Sequence, residues 1–344
     1  MKIGALAEIF AGENRVAMTP DSALQLVKLG HTCVIQAGAG AKAGFSDALY
    51  AKAGVEVLPD AAALSGVCIH LADGEERSLG RANDATLQAV AAHARRLGLA
   101  VHLEISSTRK ADVDQVVAIA RALGTRNIRV YSRYEGTLSQ VMDRIETDLH
   151  YLAQQADEHD LFFDFEQHEE LKSDEIAQLL SRLNHPRLHA LFDFGNMINA
   201  CEQPLPALRN LAPHIRQVHL KGVRVVPEHN AFGHYGVLQG SAEDDLPNSR
   251  MLFELLLLGE SRPQVIAFIL EQENHYVAPA FRQVDEASDP FIAYREMSET
   301  ALPQGFSLER MLADEHRWAN NQVAYVRGLL NEFRTLAELT LANA

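Results

Sequence analysis

The stretch "LFFDFEQHEE", residues 161–170, sets a run of apolar residues directly before a cluster of ionisable ones. Its first five residues are typical of a buried β-strand, since they are mostly large and apolar. The ionisable residues that follow are Glu166, His168, Glu169 and Glu170. Burying charge without a partner costs free energy, so a buried strand that ends in charge indicates a function for its charged end.

Six further apolar runs of this kind lie along the chain. They are "VCIHLA" from residue 67, "VHLEIS" from 101, "NIRVYS" from 127, "LHALFDFGN" from 188, "RQVHLKG" from 216 and "IAFILEQEN" from 266. Helical patterns such as "DATLQAVAAHARRLG" and "SDEIAQLLSRL" separate them. A strand and its crossover helix take about 30 residues, and most of the runs start about that far apart.

Seven successive strand–helix units favour an α/β fold, specifically a (β/α)8 TIM barrel with an extra N-terminal α/β segment. An open sheet of six or seven strands is the alternative. The longest interval lies between the runs that start at residues 216 and 266, and it contains a polar stretch, residues 223–250. We expect this stretch to be a loop, which after a barrel strand would lie over the catalytic mouth. Residues 307–333 are expected to form a long amphipathic helix, with Trp318 as a packing residue.

The bulk composition narrows the possible partners. The net charge of −15 argues against nucleic acid and anionic membranes, because both need a basic face. The cysteines are three in number and far apart, which suits a reducing compartment without a disulfide framework; they are Cys33, Cys68 and Cys201. No signal peptide is expected, because the N-terminal stretch "MKIGALAEIFAGENR" has no long apolar run. No membrane span is expected either, since "LFELLLLG" (252–259) is too short to cross a bilayer. We therefore expect a cytoplasmic, soluble protein.

Four of the later strands end in a residue that can bind a metal. These residues are Glu166, Asp193, His219 and Glu271. Each alone is also compatible with a solvated loop residue, a helix cap or a core histidine. In a barrel, however, the carboxyl ends of successive strands meet at one mouth, where three carboxylates would repel each other without a cation. One imidazole and three carboxylates suit Mn²⁺, Mg²⁺ or Co²⁺, and Zn²⁺ is possible.

The motifs "FEQHE", "LFDFGNM", "QVHLKG" and "ILEQE" resemble those of the xylose-isomerase-like TIM barrels, the superfamily of sugar phosphate isomerases and epimerases, over residues 65–335. The resemblance implies that Glu166, Asp193, His219 and Glu271 bind a divalent metal ion. It also implies that Glu166 and Glu271 are the catalytic pair that moves the substrate proton. The family often has Asp where this chain has Gly222, which concerns a substrate contact rather than the metal.

Further residues are candidates for substrate binding. His168 lies at a position that often contacts substrate in the resembled family, and Lys221 is suited to a hydroxyl, carboxylate or phosphate. Alternation along "NIRVYSR" places three residues on one face, which are Arg129, Tyr131 and Arg133. The earlier strands contribute two further candidates, Glu104 and His70. For the last five, salt-bridged structural roles are the alternative.

Residues 1–64 carry a second resemblance, to the N-terminus of the NAD(P) transhydrogenase α subunit and alanine dehydrogenase family. The matching stretches are "ENRVAMTP", "LVKLGHTCVIQAGAG" and "GFSDALYAKAG". The spacing of Gly38, Gly40 and Gly44 is one residue too long for GxGxxG, so we interpret it as a glycine turn and predict no cofactor-binding residue and no NAD. The expected domains are 1–64 and 65–344. Residues 1–64 are either a separate appendage or the source of the first barrel strand.

We therefore expect a metal-dependent isomerase or epimerase of a small sugar, keto-sugar or sugar phosphate. Its reaction would be a metal-assisted proton transfer next to a carbonyl. Two alternatives remain open, a decarboxylase or lyase that acts on an oxo sugar acid and a non-catalytic fusion remnant. The expected partners are a small carbohydrate substrate and a second copy of the chain in a homo-oligomer, with no nucleic acid and no membrane.

Overall fold

The computed structural model describes residues 2–5, 14–58, 65–71, 78–259, 262–295 and 307–342. The chain divides into two compact units. One contains Met1–Val67 and Ala92–Ala100, and the other contains Cys68–Ala91 and Val101–Ala344. The two units interleave along the sequence, so the boundary after residue 64 stays a prediction.

The N-terminal unit contains a three-stranded parallel sheet. Its strands are β1 (Lys2–Ala5), β2 (Thr32–Gln36) and β3 (Glu56–Leu58), and its helices are α1 (Pro20–Lys28) and α2 (Asp47–Lys52). The strand that the sequence offered as a possible first barrel strand is β1. It pairs with β2 from Lys2 opposite Thr32 onward, so the described residues place it in this small sheet.

Tyr50 organises the core of this unit. Its ring is fully buried, and its hydroxyl donates a hydrogen bond of 2.8 Å to the carbonyl of Met18. A Cβ atom on Gly40 would lie 2.6 Å from the Tyr50 ring, so only glycine fits there. Gly38 and Gly44 have positive φ angles of 76° and 83°. In the structure, these glycines therefore form a tight turn against an aromatic side chain.

The seven apolar runs all form strands of one sheet. They are β4 (Gly66–His70), β5 (Ala100–Ile105), β6 (Asn127–Val130), β8 (Phe162–Glu166), β9 (Leu188–Asp193), β10 (Ile215–Leu220) and β13 (Ala267–Leu270). Their order in the sheet is β13-β10-β9-β8-β6-β5-β4, and the pairings from β5 to β13 are parallel. The prediction of an α/β barrel is confirmed, with seven hydrogen-bonded strands among the described residues.

Helices follow most of these strands, as expected for repeated crossovers. They are α3 (Asp84–Leu97), α4 (Lys110–Leu123), α5 (Leu138–His159), α6 (Ser173–Leu183), α7 (Pro204–Leu211), α8 (Asn248–Leu256) and α9 (Leu308–Ala342). Their apolar faces and the outer faces of the strands share one core, in which Ile145, Leu179 and Phe163 are almost fully buried. Helix α5 begins with a capping box between Thr137 and Gln140.

The polar stretch 223–250 differs from its expected form as a loop. Its first part is an antiparallel hairpin of β11 (Gly222–Glu228) and β12 (Ala231–Val237), which β14 (Val277–Ala278) extends. Two further short strands, β7 (Gly136–Thr137) and β15 (Phe291–Ile292), pair with each other. The small and polar residues of this stretch obscure the alternation that is typical of a strand. The pairing of β12 with β14 stabilises the hairpin.

Side chains from distant strands meet inside the seven-stranded sheet, which shows that the sheet is curled. Strands β5 and β10 are separated by three strands, yet His102 Nδ1 lies 2.8 Å from Gln217 Oε1. Near the amino ends of the strands, Arg216 of β10 donates to the buried Asp164 of β8 over 2.9 Å. Polar side chains therefore fill this end of the barrel. In the described part of the chain, no helix is long and apolar enough to cross a membrane.

The buried pair of Asp164 and Arg216 gives a test of this packing. We expect Arg216→Met to lower the free energy of unfolding by about 3–5 kcal/mol at pH 7, because it leaves a buried carboxylate uncompensated. Burial raises the pKa of Asp164 and Arg216 lowers it, so without Arg216 the pKa rises further. The loss should therefore shrink as the pH falls and Asp164 takes up a proton.

Urea unfolding at several pH values measures this effect. The matched control is Arg182→Met, since Arg182 is 54% exposed in its pair with Glu146 and should cost less than about 1 kcal/mol. Equal losses in the two variants would contradict a barrel interior closed by a buried ion pair.

Candidate functional site

The four residues predicted to bind a metal converge at the carboxyl ends of the strands. Glu166 ends β8, Asp193 ends β9, His219 is the last residue but one of β10, and Glu271 directly follows β13. The Nδ1 atom of His219 lies 3.4 Å from Glu166 Oε1, 3.8 Å from Asp193 Oδ2 and 3.3 Å from Glu271 Oε1. One imidazole nitrogen thus faces all three carboxylates.

Glu104 of β5 lies behind His219. Its Oε1 atom is 3.0 Å from His219 Nε2, the ring nitrogen that points away from the three acids. A proton on Nε2 donates to Glu104 and leaves the lone pair of Nδ1 facing the acids, as in a ligating histidine. Burial lowers the pKa of His219, but the carboxylates of Glu271, Glu104 and Glu166 outweigh burial and raise it well above the ordinary value.

Asp193 is held in one orientation by the chain that follows it. Its Oδ1 atom accepts hydrogen bonds of 2.8 Å from the backbone N–H groups of Gly195 and Asn196. The other oxygen, Oδ2, faces Lys221 and His219. Burial raises the pKa of Asp193 to about 7, although Lys221 opposes the rise. A cation beside Oδ2 would favour the ionised carboxylate.

Two cationic side chains neutralise part of the acid cluster. The Nζ atom of Lys221 lies 2.8 Å from Asp193 Oδ2, 2.6 Å from Glu271 Oε2 and 2.5 Å from Glu273 Oε1. Arg129 Nε lies 2.6 Å from Glu166 Oε2. Both cations are buried. The structure thus places these two predicted substrate-binding residues against carboxylates of the cluster.

The donor set and its charge fit a divalent cation. The acid cluster comprises Glu104, Glu166, Asp193, Glu271 and Glu273. The two cations Arg129 and Lys221 lie against these five carboxylates. Three negative charges remain when His219 is neutral, as a metal ligand is, and two remain when it carries the second proton that its raised pKa favours. Among the described residues, the buried His219 Nδ1 makes no hydrogen bond, and the close polar contacts of Glu166 Oε2, Asp193 Oδ2 and Glu271 Oε2 are the ion pairs with Arg129 and Lys221 and the approach of Asp193 Oδ2 to His219 Nδ1. Ligand atoms of Glu166, Asp193 and His219 lie within 4.8 Å of one another.

The remaining sequence candidates form a second group, centred on Tyr131. The His168 ring stacks on Tyr131 with centroids 3.8 Å apart, and Arg133 donates to the Tyr131 hydroxyl over 2.5 Å. Tyr131 in turn donates to Ser106 Oγ over 2.7 Å, and His70 Nε2 lies 2.8 Å from the same oxygen. We call these five residues the Tyr131 group.

His168 is positively charged at neutral pH. Its Nδ1 atom lies 3.7 Å from Glu169 Oε2 and 3.5 Å from Glu170 Oε2. Burial lowers the pKa of His168, but these two carboxylates outweigh burial and raise it to about 10. The charged end of the stretch 161–170 is therefore paired within itself, apart from Glu166, which joins the acid cluster.

Comparison with known proteins identifies the family. Over 271 residues the chain is 44% identical to the uncharacterized protein YihM of Escherichia coli (strain K12). The matched region covers 79% of this chain and 82% of that protein. The chain belongs to the YihM family. The name of this relative assigns no reaction.

A second set of matches covers the N-terminal part. A family model described as alanine dehydrogenase/PNT, N-terminal domain, matches residues 4–132. Over 64 residues the chain is 80% identical to the NAD(P) transhydrogenase subunit alpha of Cereibacter sphaeroides, a match that covers 19% of this chain and 12% of that subunit. The resemblance seen in the sequence is confirmed. The model match extends past residue 64 as far as β6.

The solved structure of an L-ribulose 3-epimerase has the same fold. It superposes with a TM-score of 0.50 and covers 98% of this chain and 97% of that chain, at 14% sequence identity. At this identity the likeness shows the fold alone. Together with the strand order, it confirms the barrel fold that the sequence predicts for this YihM-family chain.

Sequence reasoning missed two members of the site. Glu273 bridges Lys221 and the buried His234, whose Nε2 atom lies 3.0 Å from Glu273 Oε2. The Nδ1 atom of His234 lies 2.7 Å from Asn199 Oδ1. Glu273 has a signal in the sequence, because alternation places it on the same side as Glu271. His234 has none, since it lies in the stretch that was expected to be a loop.

The charge of His168 is open to direct measurement. We expect its ring nitrogens to keep the ¹⁵N chemical shifts of an imidazolium from pH 6 to pH 8.5, because its pKa is about 10. Comparison with His168→Gln assigns the signals. Glu169→Gln should lower the pKa by removing a neighbouring negative charge. A His168 ring that loses its proton near pH 6.5 would contradict the pairing with Glu169 and Glu170.

Proposed function

We propose that the protein is a metal-dependent isomerase or epimerase that acts on a small sugar, keto-sugar or sugar phosphate. One observation carries the proposal, the convergence of three carboxylates on His219 Nδ1 at distances of 3.3 to 3.8 Å. The epimerase name of the structure with the same fold supports it. The reaction is a proton transfer at the carbon next to a carbonyl.

Glu166, Asp193, His219 and Glu271 are the residues that would hold the cation. Three of their ligand atoms are oxygens, which suits Mn²⁺, Mg²⁺ or Co²⁺. A bound divalent cation would polarise the substrate carbonyl and stabilise negative charge on its oxygen. Glu104 positions the imidazole of His219, and the backbone N–H groups of Gly195 and Asn196 position Asp193.

Glu166 and Glu271 have different surroundings, which divides the proton-transfer roles. The side chain of Glu166 is 1% exposed, and Arg129 and Asn196 hold it. Glu271 is 29% exposed and is the most accessible of the four proposed ligands. Burial raises the pKa of Glu271, but His219 and Lys221 lower it well below its ordinary value, so it is ionised at neutral pH. Burial raises the pKa of Glu166, but Arg129 and His219 lower it below its ordinary value, so Glu166 is ionised as well. Accessibility therefore separates the two roles: Glu271 is the base that first removes the substrate proton, and Glu166 is the second proton carrier.

Isotope exchange tests this function. In ²H₂O, a panel of ketoses and ketose phosphates should yield one substrate that gains deuterium next to its carbonyl. We expect Glu271→Gln and Glu166→Gln to lower the exchange rate by at least about 100-fold, because each removes a proton carrier. Glu146→Gln, at an exposed pair on α5, is the matched control and should exchange normally. Normal exchange in both site variants would refute the assignment.

Metal affinity tests the role of Glu104 separately from turnover. We expect Glu104→Gln to bind Mn²⁺ about 10- to 100-fold more weakly than the unaltered chain, because His219 loses the carboxylate that fixes its ring. Isothermal titration with Mn²⁺ measures the affinity without any substrate. Glu146→Gln again serves as the control. An unchanged affinity in Glu104→Gln would show that His219 needs no support from β5.

Arg133 favours a second candidate function, a decarboxylase or lyase that acts on an oxo sugar acid. Arg133 is exposed beside Tyr131, and no carboxylate of the described residues forms an ion pair with it. A guanidinium in this position suits a substrate carboxylate. Release of carbon dioxide from a panel of oxo sugar acids would separate this activity from isomerisation. A chain that binds no metal and turns over neither panel would instead be a non-catalytic fusion remnant.

A further inference from the structure

His234 of β12 is buried beside the acid cluster, and each of its two ring nitrogens faces an oxygen atom. The side chain is fully buried. Its Nδ1 atom lies 2.7 Å from Asn199 Oδ1, and its Nε2 atom lies 3.0 Å from Glu273 Oε2. A neutral imidazole carries a proton on only one of its nitrogens. The charge of His234 therefore depends on whether either oxygen can donate a proton to the ring.

The amide of Asn199 is oriented by the backbone around it. Its Nδ2 atom donates to the carbonyl oxygen of Ala278 over 3.0 Å and to that of Pro279 over 2.7 Å. Carbonyl oxygens only accept hydrogen bonds, so they fix the NH₂ group of the amide on their side. The amide oxygen is left to face His234, where it too can only accept. The Nδ1 atom of His234 therefore carries a proton.

Glu273 is an acceptor on the other side of the ring. Its Oε1 atom lies 2.5 Å from the Nζ atom of Lys221. A neighbouring ammonium group favours the ionised carboxylate, and an ionised carboxylate only accepts hydrogen bonds. The Nε2 atom of His234 therefore carries a proton as well. With both nitrogens protonated, the ring is an imidazolium with a full positive charge.

The backbone holds this charge at a short distance from the cluster. The N–H group of Gly236 donates to the carbonyl oxygen of Tyr276 over 2.8 Å. A Cβ atom on residue 236 would collide with the carbonyl oxygen of Glu273, so glycine allows β12 to approach this segment closely. His234 is therefore fixed against Glu273 by the hairpin itself.

Ion pairs of alternating sign connect His234 to the predicted metal ligands. His234 pairs with Glu273, Glu273 pairs with Lys221, and Lys221 pairs with both Asp193 and Glu271. An imidazolium at the start of this series stabilises the carboxylate of Glu273 between two positive charges. His234 thus belongs to the electrostatic balance of the cluster.

Counting His234 changes the net charge that a cation would meet. The five carboxylates of the acid cluster then lie against three cations, which are Arg129, Lys221 and His234. Two negative charges remain when His219 is a neutral ligand, and one divalent cation neutralises them. Glu169 and Glu170 are not part of this series, because they pair with His168.

We propose that His234 sets the cation specificity of the site, because its fixed positive charge matches the acid cluster to one divalent ion and disfavours ions of higher charge. The proposal rests on the cation site of the proposed function. Repulsion between His234 and a bound cation grows with the charge of that cation, so it acts more strongly on a trivalent ion than on a divalent one. Asn199 is a positioning residue, since its amide oxygen accepts the Nδ1 proton.

The charge of His234 can be measured without any metal ion. At pH 7, we expect both of its ring nitrogens to have the ¹⁵N chemical shifts of an imidazolium, because both face acceptors. Comparison with the spectrum of His234→Gln assigns the signals. A neutral His234 ring at pH 7 would overturn the proposal, whether or not the chain binds a metal ion.

Competition between Tb³⁺ and Mn²⁺ tests the specificity. We expect His234→Gln to raise the ratio of Tb³⁺ affinity to Mn²⁺ affinity about 5- to 20-fold, because the loss of one positive charge favours the ion of higher charge. A purely structural role would weaken the binding of both ions alike and leave the ratio unchanged. His234→Lys returns the positive charge and should restore the ratio.

His214→Gln is the matched control. Burial lowers the pKa of His214, so this histidine is neutral at pH 7 and its replacement changes no charge. The ratio should therefore stay that of the unaltered chain. Circular dichroism checks the fold of each variant. A folded His234→Gln that binds Mn²⁺ with an unchanged ratio would overturn this proposal and leave the proposed function standing. An unaltered chain that binds neither ion would refute the cation site and this proposal with it.

Discussion

The repulsion among carboxylates at the mouth of the barrel is the constraint on which the rest of the site depends. Glu166, Asp193 and Glu271 approach a single imidazole nitrogen in a space with little solvent. Ionised carboxylates in such a space require nearby positive charge, since neither water nor distance reduces their repulsion. Lys221 and Arg129 supply part of this charge from buried positions. The remaining negative charge is what makes a divalent cation a fitting occupant.

Because the sheet is curled, side chains from strands that are not neighbours in the sheet lie close together. Contacts between β5 and β10 occur twice, through Glu104 and His219 towards the mouth and through His102 and Gln217 towards the opposite end. An open sheet would keep three strands between them. The outer faces of the strands and the helices share an apolar core, which fixes the backbone positions. The polar side chains inside the barrel can therefore be arranged for binding without loss of the packing that holds the fold.

The predictions from the sequence were most complete for the strands and for the residues at their ends. Apolar runs about 30 residues apart identified all seven strands of the large sheet, because a parallel strand must be followed by a long crossover. The hairpin 222–237 was not recognised, since its alternation is broken by glycines and polar residues and its pairing partner, β14, lies 40 residues away. His234 and its contact with Glu273 were missed for the same reason.

The class of fold, the order of the strands and the four residues at their carboxyl ends could be predicted from the amino-acid sequence, because periodicity and strand termini are local properties. The partners of the charged residues became visible in the folded chain alone. Lys221 and Arg129, which the sequence offered as substrate contacts, lie against carboxylates of the acid cluster, and Glu104 lies against His219. Their contact with a substrate stays a prediction. The curvature of the sheet and the depth of burial decide which charged side chains lie close together. Neither property can be read from the spacing of residues along the chain.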